Sequence, residues 1–127
     1  MTREWRLPEP FVPRPGYFVA RIHGQSMNRR VPDGSWCLFR VDSGGSREGR
    51  IVLVQHRNLQ DPDNGAFTIK TYHSEKTETE DGWRHHRIIL KPDSTMPGYR
   101  DIVLEPDEAV ELRVIGEFVA SFGQSNP

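Results

Sequence analysis

Two short apolar runs, residues 17–22 and 35–39, flank the stretch Gly24-Gln25-Ser26-Met27. Each run predicts a β-strand, and the glycine lets the backbone bend just before a small hydroxyl. Backbone N–H groups at such a bend can face a developing oxyanion. A serine in this position becomes a nucleophile only when a nearby base takes its proton, and the base can be a histidine, a carboxylate or a neutral lysine.

Lys70 is the lysine candidate for that base. The chain has three lysines against fourteen arginines, and only lysine loses its proton readily when burial lowers its pKa. Lys70 lies in the run FTIKTY at residues 67–72, which predicts a strand interior. Alternation along that strand puts Lys70 on the face opposite Ile69 and, taken by itself, favours a solvent-facing lysine.

The sequence offers three other arrangements for nucleophilic chemistry. His23, three residues before Ser26, would be the base of a Ser/His/Asp triad, although no known triad spacing fits. The helical Ser-x-x-Lys pattern is absent, because arginine occupies position 29. Cys37 alternates with apolar neighbours in a predicted strand, which is typical of a buried structural thiol.

We expect no metal and no cofactor. The adjacent pair His85 and His86 is the most suggestive metal-ligand pattern, but neighbouring residues of a strand point to opposite faces. The pair therefore cannot readily chelate one ion.

The rest of the chain predicts an all-β domain with little helix. Short apolar runs alternate with Gly, Asp, Asn and Pro turn signals, and no long 3.6-residue period occurs. The spacing predicts seven strands, near residues 17–23, 35–41, 50–56, 66–73, 83–91, 101–104 and 112–121, and one short helical turn within 27–31. The charged segment 73–81 is interpreted as a solvated loop at the end of a long hairpin whose turn is Asp81-Gly82. The loop 55–65 could shape the edge of a cleft or lie on the surface, and the surface is favoured because long loops are tolerated at small cost.

Seven segments together resemble the catalytic domain of LexA-type repressors, which belongs with the signal peptidases to one superfamily. They are FVARIHGQSM (18–27), VPDGSWCL (31–38), EGRIVLV (48–54), TIK (68–70), ILKPDS (89–94), YRDI (99–102) and VIGEFV (114–119). The segments follow the family's order over about residues 17 to 122. The resemblance implies a compact β domain with twisted antiparallel sheets.

The same resemblance implies a serine–lysine dyad that hydrolyses a peptide bond. Ser26 would be the nucleophile and Lys70 its base. Backbone N–H groups around Ser26, with that of Gln25 or Met27, would support the oxyanion, and Gly24 would support the motif. The residues that match the family's structural motif are Asp33, Gly34 and Gly49. A regulatory role in transcription and stress responses, and a homodimer formed through residues 114–122, are further implications.

Composition limits the partners. The net charge is −1, and basic residues are spread along the sequence, so we expect no direct binding to nucleic acid. The single cysteine fits a reducing compartment. The sequence shows no signal peptide and no apolar run near 18 residues, so we expect a cytoplasmic protein without membrane insertion.

Residues 1–16 depart from the family. Four prolines there predict an extended N-terminal arm, followed by the peptidase-like domain at residues 17–127. LexA-type proteins are cut at an Ala-Gly or Cys-Gly bond well upstream of the serine, and neither dipeptide precedes Ser26. Two hypotheses remain: a peptidase acting in trans or on a segment of a longer parent chain, and a non-cleaving LexA-like module for dimerisation or regulation.

Overall fold

A computed structural model describes residues 15–41, 45–62, 64–78 and 84–122. Within these ranges the chain forms seven β-strands and one short α-helix. They are β1 (Tyr17–Ile22), β2 (Ser35–Val41), β3 (Ile51–Gln55), β4 (Phe67–Glu78), β5 (Arg84–Lys91), β6 (Ile102–Leu104), α1 (Pro106–Ala109) and β7 (Arg113–Ser121). Residues 1–14 of the expected N-terminal arm lie outside the described ranges.

The strands form one antiparallel sheet in the order β1-β2-β7-β3-β4-β5-β6. The prediction of an all-β domain with little helix is confirmed, and all seven strands occur where turn signals separate the apolar runs. No helix in the described ranges is long and apolar enough to span a bilayer, since α1 has four residues.

The interpretation of residues 73–81 as a loop is wrong for its first part. β4 continues to Glu78, and its charged end pairs residue by residue with β5, from His73 opposite Ile89 to Glu78 opposite Arg84. The reason is cross-strand pairing, which satisfies the backbone of a segment whose composition alone is typical of a loop. The expected turn at residues 81–82 lies outside the described ranges.

Both faces of the sheet are covered by apolar side chains. β3 illustrates this, because Leu53 belongs to one buried cluster while its neighbours Val52 and Val54 belong to the other. The first cluster contains Ile22, Met27, Val31, Cys37, Phe39, Leu53 and Ile69. The second contains Val52, Val54, Leu59, Ile88, Leu90 and Leu104. Side chains on both faces of the middle of β3 are therefore removed from water.

Candidate active site

The turn that carries Ser26 connects β1 to β2 and is fixed by a carboxylate. Asp33 Oδ1 accepts the Gly24 N–H at 2.7 Å, and Asp33 Oδ2 accepts a weaker bond from Gln25 Nε2 at 3.4 Å. Gly24 has φ +109°, a conformation that a side chain would strain. Gly34, with φ +76°, closes the turn by donating its N–H to Ile22 O at 2.8 Å.

A second segment, residues 93–95, supports the turn from the other side. The Asp93 N–H donates to Ser26 O at 2.8 Å, and the Ser94 hydroxyl donates to Gln25 O at 2.6 Å. Met27 is fully buried in the first apolar cluster and begins the expected single helical turn, in which the Val31 N–H donates to Met27 O at 2.7 Å. Ser26 thus lies on a bend in which the carbonyls of Gln25 and Ser26 both accept hydrogen bonds. The next residue, Met27, is part of the core.

Lys70 lies on β4 with its ammonium nitrogen against Ser26. Lys70 Nζ is 2.8 Å from Ser26 Oγ, 2.7 Å from Thr68 Oγ1 and 3.1 Å from Ile69 O. The lysine is 4% exposed. The solvent-facing position that alternation favours is therefore wrong, because the face opposite Ile69 is covered as well.

Burial sets the protonation of this lysine. Desolvation lowers the pKa of Lys70 from its ordinary value of 10.5 to about 8, while the nearby Asp61 carboxylate acts in the opposite direction. A pKa of about 8 leaves roughly a tenth of the lysine neutral at pH 7 and about half at pH 8. The amine can therefore act as a base near neutral pH.

A cleft of about 300 Å³ opens over the two side chains. Its walls are His23, Gly24, Gln25, Ser26, Asn58, Leu59, Gln60, Asp61, Pro62, Thr68, Lys70, Tyr99, Arg100 and Ile102. The interpretation of the loop 55–65 as plain surface is wrong, since residues 58–62 form one wall. The loop folds back over β4 because Asp61 bonds to Thr68, a long-range contact that loop composition cannot report.

The remaining candidates lie outside the dyad. His23 lines the cleft, but within the described ranges no histidine is bonded to Ser26 Oγ. Cys37 is fully buried, and its burial raises the pKa of the thiol to about 12, so it stays protonated. Gly49 lies in the turn before β3, where its N–H donates to Tyr72 O, away from the cleft.

The structure identifies no metal site near these residues. In the part of the chain that is described, no three His, Cys, Asp or Glu side chains are grouped so that they could hold an ion. His86 is exposed on β5, and the side chain of His85 lies outside the described ranges.

Sequence reasoning missed three polar residues of the site. Thr68 bonds to Lys70, Asp61 bonds to Thr68, and Asn64 Nδ2 donates to His23 O at 2.8 Å. The spacing of Thr68, two residues before Lys70 on the same strand face, was a usable signal. Asp61 and Asn64 had no such signal, because their contacts depend on how the loop folds.

Comparison with known proteins gives one match. The family model described as Peptidase S24-like covers residues 2–119 of the 127. No curated protein and no solved structure matches the chain. The matched range contains Ser26, Lys70 and every segment that carries the resemblance to LexA-type domains.

Proposed function

The chain belongs to the Peptidase S24-like family, and we propose that it is a serine–lysine peptidase that hydrolyses a peptide bond in trans or in a segment of a longer parent chain. The observation that carries this proposal is the 2.8 Å contact between Ser26 Oγ and a buried Lys70 Nζ. Burying a lysine is costly, and a lysine that is only structural gains little from a contact to a serine. A role as the base that accepts the Ser26 proton explains why a lysine is buried at this position.

Acylation begins when neutral Lys70 accepts the Ser26 hydroxyl proton. The Ser26 oxygen forms a bond to the peptide carbonyl carbon, and the carbonyl oxygen becomes an oxyanion. When the oxyanion collapses, the C–N bond breaks and Lys70 gives its proton to the leaving amine. Peptide and enzyme are then joined as an ester at Ser26.

Deacylation repeats the same proton transfers with water. Lys70, neutral again, takes a proton from water as the water oxygen attacks the ester carbonyl. Collapse of the second oxyanion breaks the bond to Ser26, whose oxygen recovers the proton from Lys70. The products are a free carboxylic acid, a free amine and the original enzyme.

The oxyanion would be stabilised by backbone N–H groups of the serine turn. Within the described ranges, no acceptor is bonded to the amide N–H groups of Gln25, Ser26 and Met27, while the carbonyls of Gln25 and Ser26 are both engaged. Free donors on a turn that Asp33 fixes are what a transient oxyanion requires.

A proteome-derived peptide library tests the proposed activity. Wild type, Ser26→Ala and Lys70→Ala are each incubated with the library at pH 9, and new peptide termini are identified by mass spectrometry. We expect new termini with wild type and none with either variant, while Lys91→Ala, which removes an exposed lysine on β5, keeps the wild-type pattern. Identical termini in all four samples would overturn the proposal.

A second candidate function is a cytoplasmic regulatory module that dimerises through the end of β7 and cleaves little. β3 pairs with β7 only from Arg113 to Glu117, so the β3 side of Phe118–Ser121 has no strand partner among the described residues. Val119 is exposed there. Sedimentation of wild type and Val119→Arg decides this point, since a dimer that the substitution dissociates supports the surface and a wild-type monomer contradicts it.

A further inference from the structure

The loop between β3 and β4 is bonded to residues close to both partners of the dyad, Thr68 on the Lys70 side and His23 on the Ser26 side. Asp61 Oδ2 accepts the Thr68 hydroxyl at 2.9 Å, and Asp61 Oδ1 accepts the Asn64 N–H at 3.0 Å and Asn64 Nδ2 at 3.3 Å. Asn64 Nδ2 also donates to His23 O, one residue before the glycine of the serine turn. Two donors of Asn64 thus hold Asp61 Oδ1 in place, and Asp61 Oδ2 binds Thr68, which contacts Lys70.

The bond to Asp61 fixes the direction of the Thr68 hydroxyl proton. The Thr68 hydroxyl has one proton, and the carboxylate accepts it, so the Thr68 oxygen faces Lys70 only as an acceptor. A neutral Lys70 amine has two N–H groups and one lone pair. Thr68 Oγ1 and Ile69 O take the two N–H groups. The lone pair is then left for the Ser26 hydroxyl.

The opposite orientation of Thr68 would disable the base. If Thr68 donated its proton to Lys70 Nζ, the lone pair of the amine would be occupied and Ser26 would have no base. A group that accepts from Thr68 is therefore needed to keep the lone pair directed at the serine.

We propose that Asp61 is a positioning residue of the dyad, which acts through Thr68 to direct the Lys70 lone pair at Ser26. This inference rests on the proposed function. It assigns a role to the loop between β3 and β4 that is separate from contact with substrate, although Asp61 also lines the cleft.

The charge of Asp61 has a second effect on Lys70. A carboxylate near the amine favours the ammonium form, and this raises the pKa against the larger effect of burial. The other titratable or charged side chains on the cleft walls are His23, Tyr99 and Arg100. Neutralising Asp61 should therefore shift the Lys70 titration to lower pH while it weakens the orientation of the amine.

The substitution Asp61→Asn tests the effects of Asp61 on the pKa and on the orientation of Lys70 without a general loss of structure. Because two N–H donors of Asn64 already face one oxygen, the new amide places its oxygen there and its NH₂ group toward Thr68. The Thr68 oxygen must then accept, and its proton turns toward Lys70. The substitution keeps the shape of the side chain, but it reverses the direction of the hydrogen bonds that run from residue 61 through Thr68 to Lys70.

The first measurement is an NMR titration of protein labelled with ¹³C at lysine Cε. The chain has three lysines, and Lys70→Met assigns the Lys70 signal. We expect a lower titration midpoint for Lys70 in Asp61→Asn than in wild type, and an unchanged midpoint in Asp107→Asn, which neutralises an exposed carboxylate on α1. An unchanged midpoint in Asp61→Asn would overturn the link between Asp61 and Lys70.

The second measurement is the single-turnover cleavage rate at alkaline pH, where Lys70 is neutral in every variant. We expect Asp61→Asn and Thr68→Val each to lower this rate about tenfold, and Thr68→Ser, which keeps the hydroxyl, to restore most of it. Adding Asp61→Asn to Thr68→Val should have no further effect, because Asp61 acts through Thr68.

The two measurements distinguish failure of the inference from failure of the proposed function. If Asp61→Asn lowers the rate of Thr68→Val as much as that of wild type, Asp61 does not act through Thr68 and the proposal is wrong. If wild type cleaves no peptide, the proposed function fails, and the Lys70 titration still decides whether Asp61 controls the lysine.

Discussion

Lys70→Met should stabilise the protein relative to wild type far more at pH 7 than at pH 10. Wild type has to bury an amine, whereas methionine fills a similar volume without a charge. The hydrogen bonds that methionine cannot make to Ser26, Thr68 and Ile69 are lost at both pH values. The change with pH therefore isolates the cost of protonating a buried lysine.

The magnitude follows from the depressed pKa. Burial lowers the Lys70 pKa from 10.5 to about 8, so between these values the unfolded chain binds more protons, and the free energy of unfolding of wild type rises with pH. Protonation destabilises folded wild type by about 3 kcal/mol at pH 7 and by less than about 1 kcal/mol at pH 10. The advantage of Lys70→Met should shrink by about 2.5 kcal/mol across this range.

Urea unfolding at pH 7 and pH 10 measures the difference. Lys91→Met is the matched control, since Lys91 is exposed on β5, and its difference from wild type should stay within about 0.5 kcal/mol at both pH values. If the difference between Lys70→Met and wild type is the same at pH 7 and pH 10, Lys70 is not a buried amine that resists protonation. The assignment of a neutral base would then be refuted.

Two further substitutions test the serine turn and the sheet. Asp33→Ala removes the acceptor that fixes Gly24, and we expect a loss of about 1–2 kcal/mol in urea unfolding together with slower peptide cleavage; unchanged cleavage would contradict the role of Asp33 in the turn. Gly116→Ala would place a Cβ at 2.9 Å from the Phe18 ring and 3.0 Å from Arg40 O. We expect a loss of at least about 2 kcal/mol in the same assay, and wild-type stability would contradict the close packing of β7.

The strands and the serine turn were predictable from sequence because their signals are local. Alternation and turn residues indicate where each strand begins and ends, and Gly24 before Ser26 indicates a bend. The continuation of β4 to Glu78 was not predictable in this way. Its charged residues are typical of a loop, and only pairing with β5 makes them a strand.

The burial of Lys70 depends on contacts distant in sequence. Alternation correctly separates Lys70 from Ile69, but it cannot tell that the Lys70 face is also covered. That cover includes Leu59 from the loop before β4, which lines the cleft with Lys70 and belongs to the second apolar cluster. The link from Asp61 through Thr68 to Lys70 is hidden for the same reason. The scarcity of lysine and the strand context indicated Lys70 as a candidate base, and the family resemblance paired it with Ser26.

The pH dependence of cleavage by wild type and Ser26→Ala is the most direct test of the serine–lysine peptidase proposal. One peptide from the library is followed by mass spectrometry from pH 6 to pH 10. We expect the wild-type rate to rise about tenfold per pH unit up to about pH 8 and then to level off, because neutral Lys70 is the base. We expect no cleavage by Ser26→Ala at any pH. A flat wild-type profile, or cleavage by Ser26→Ala at the wild-type rate, would contradict the proposal.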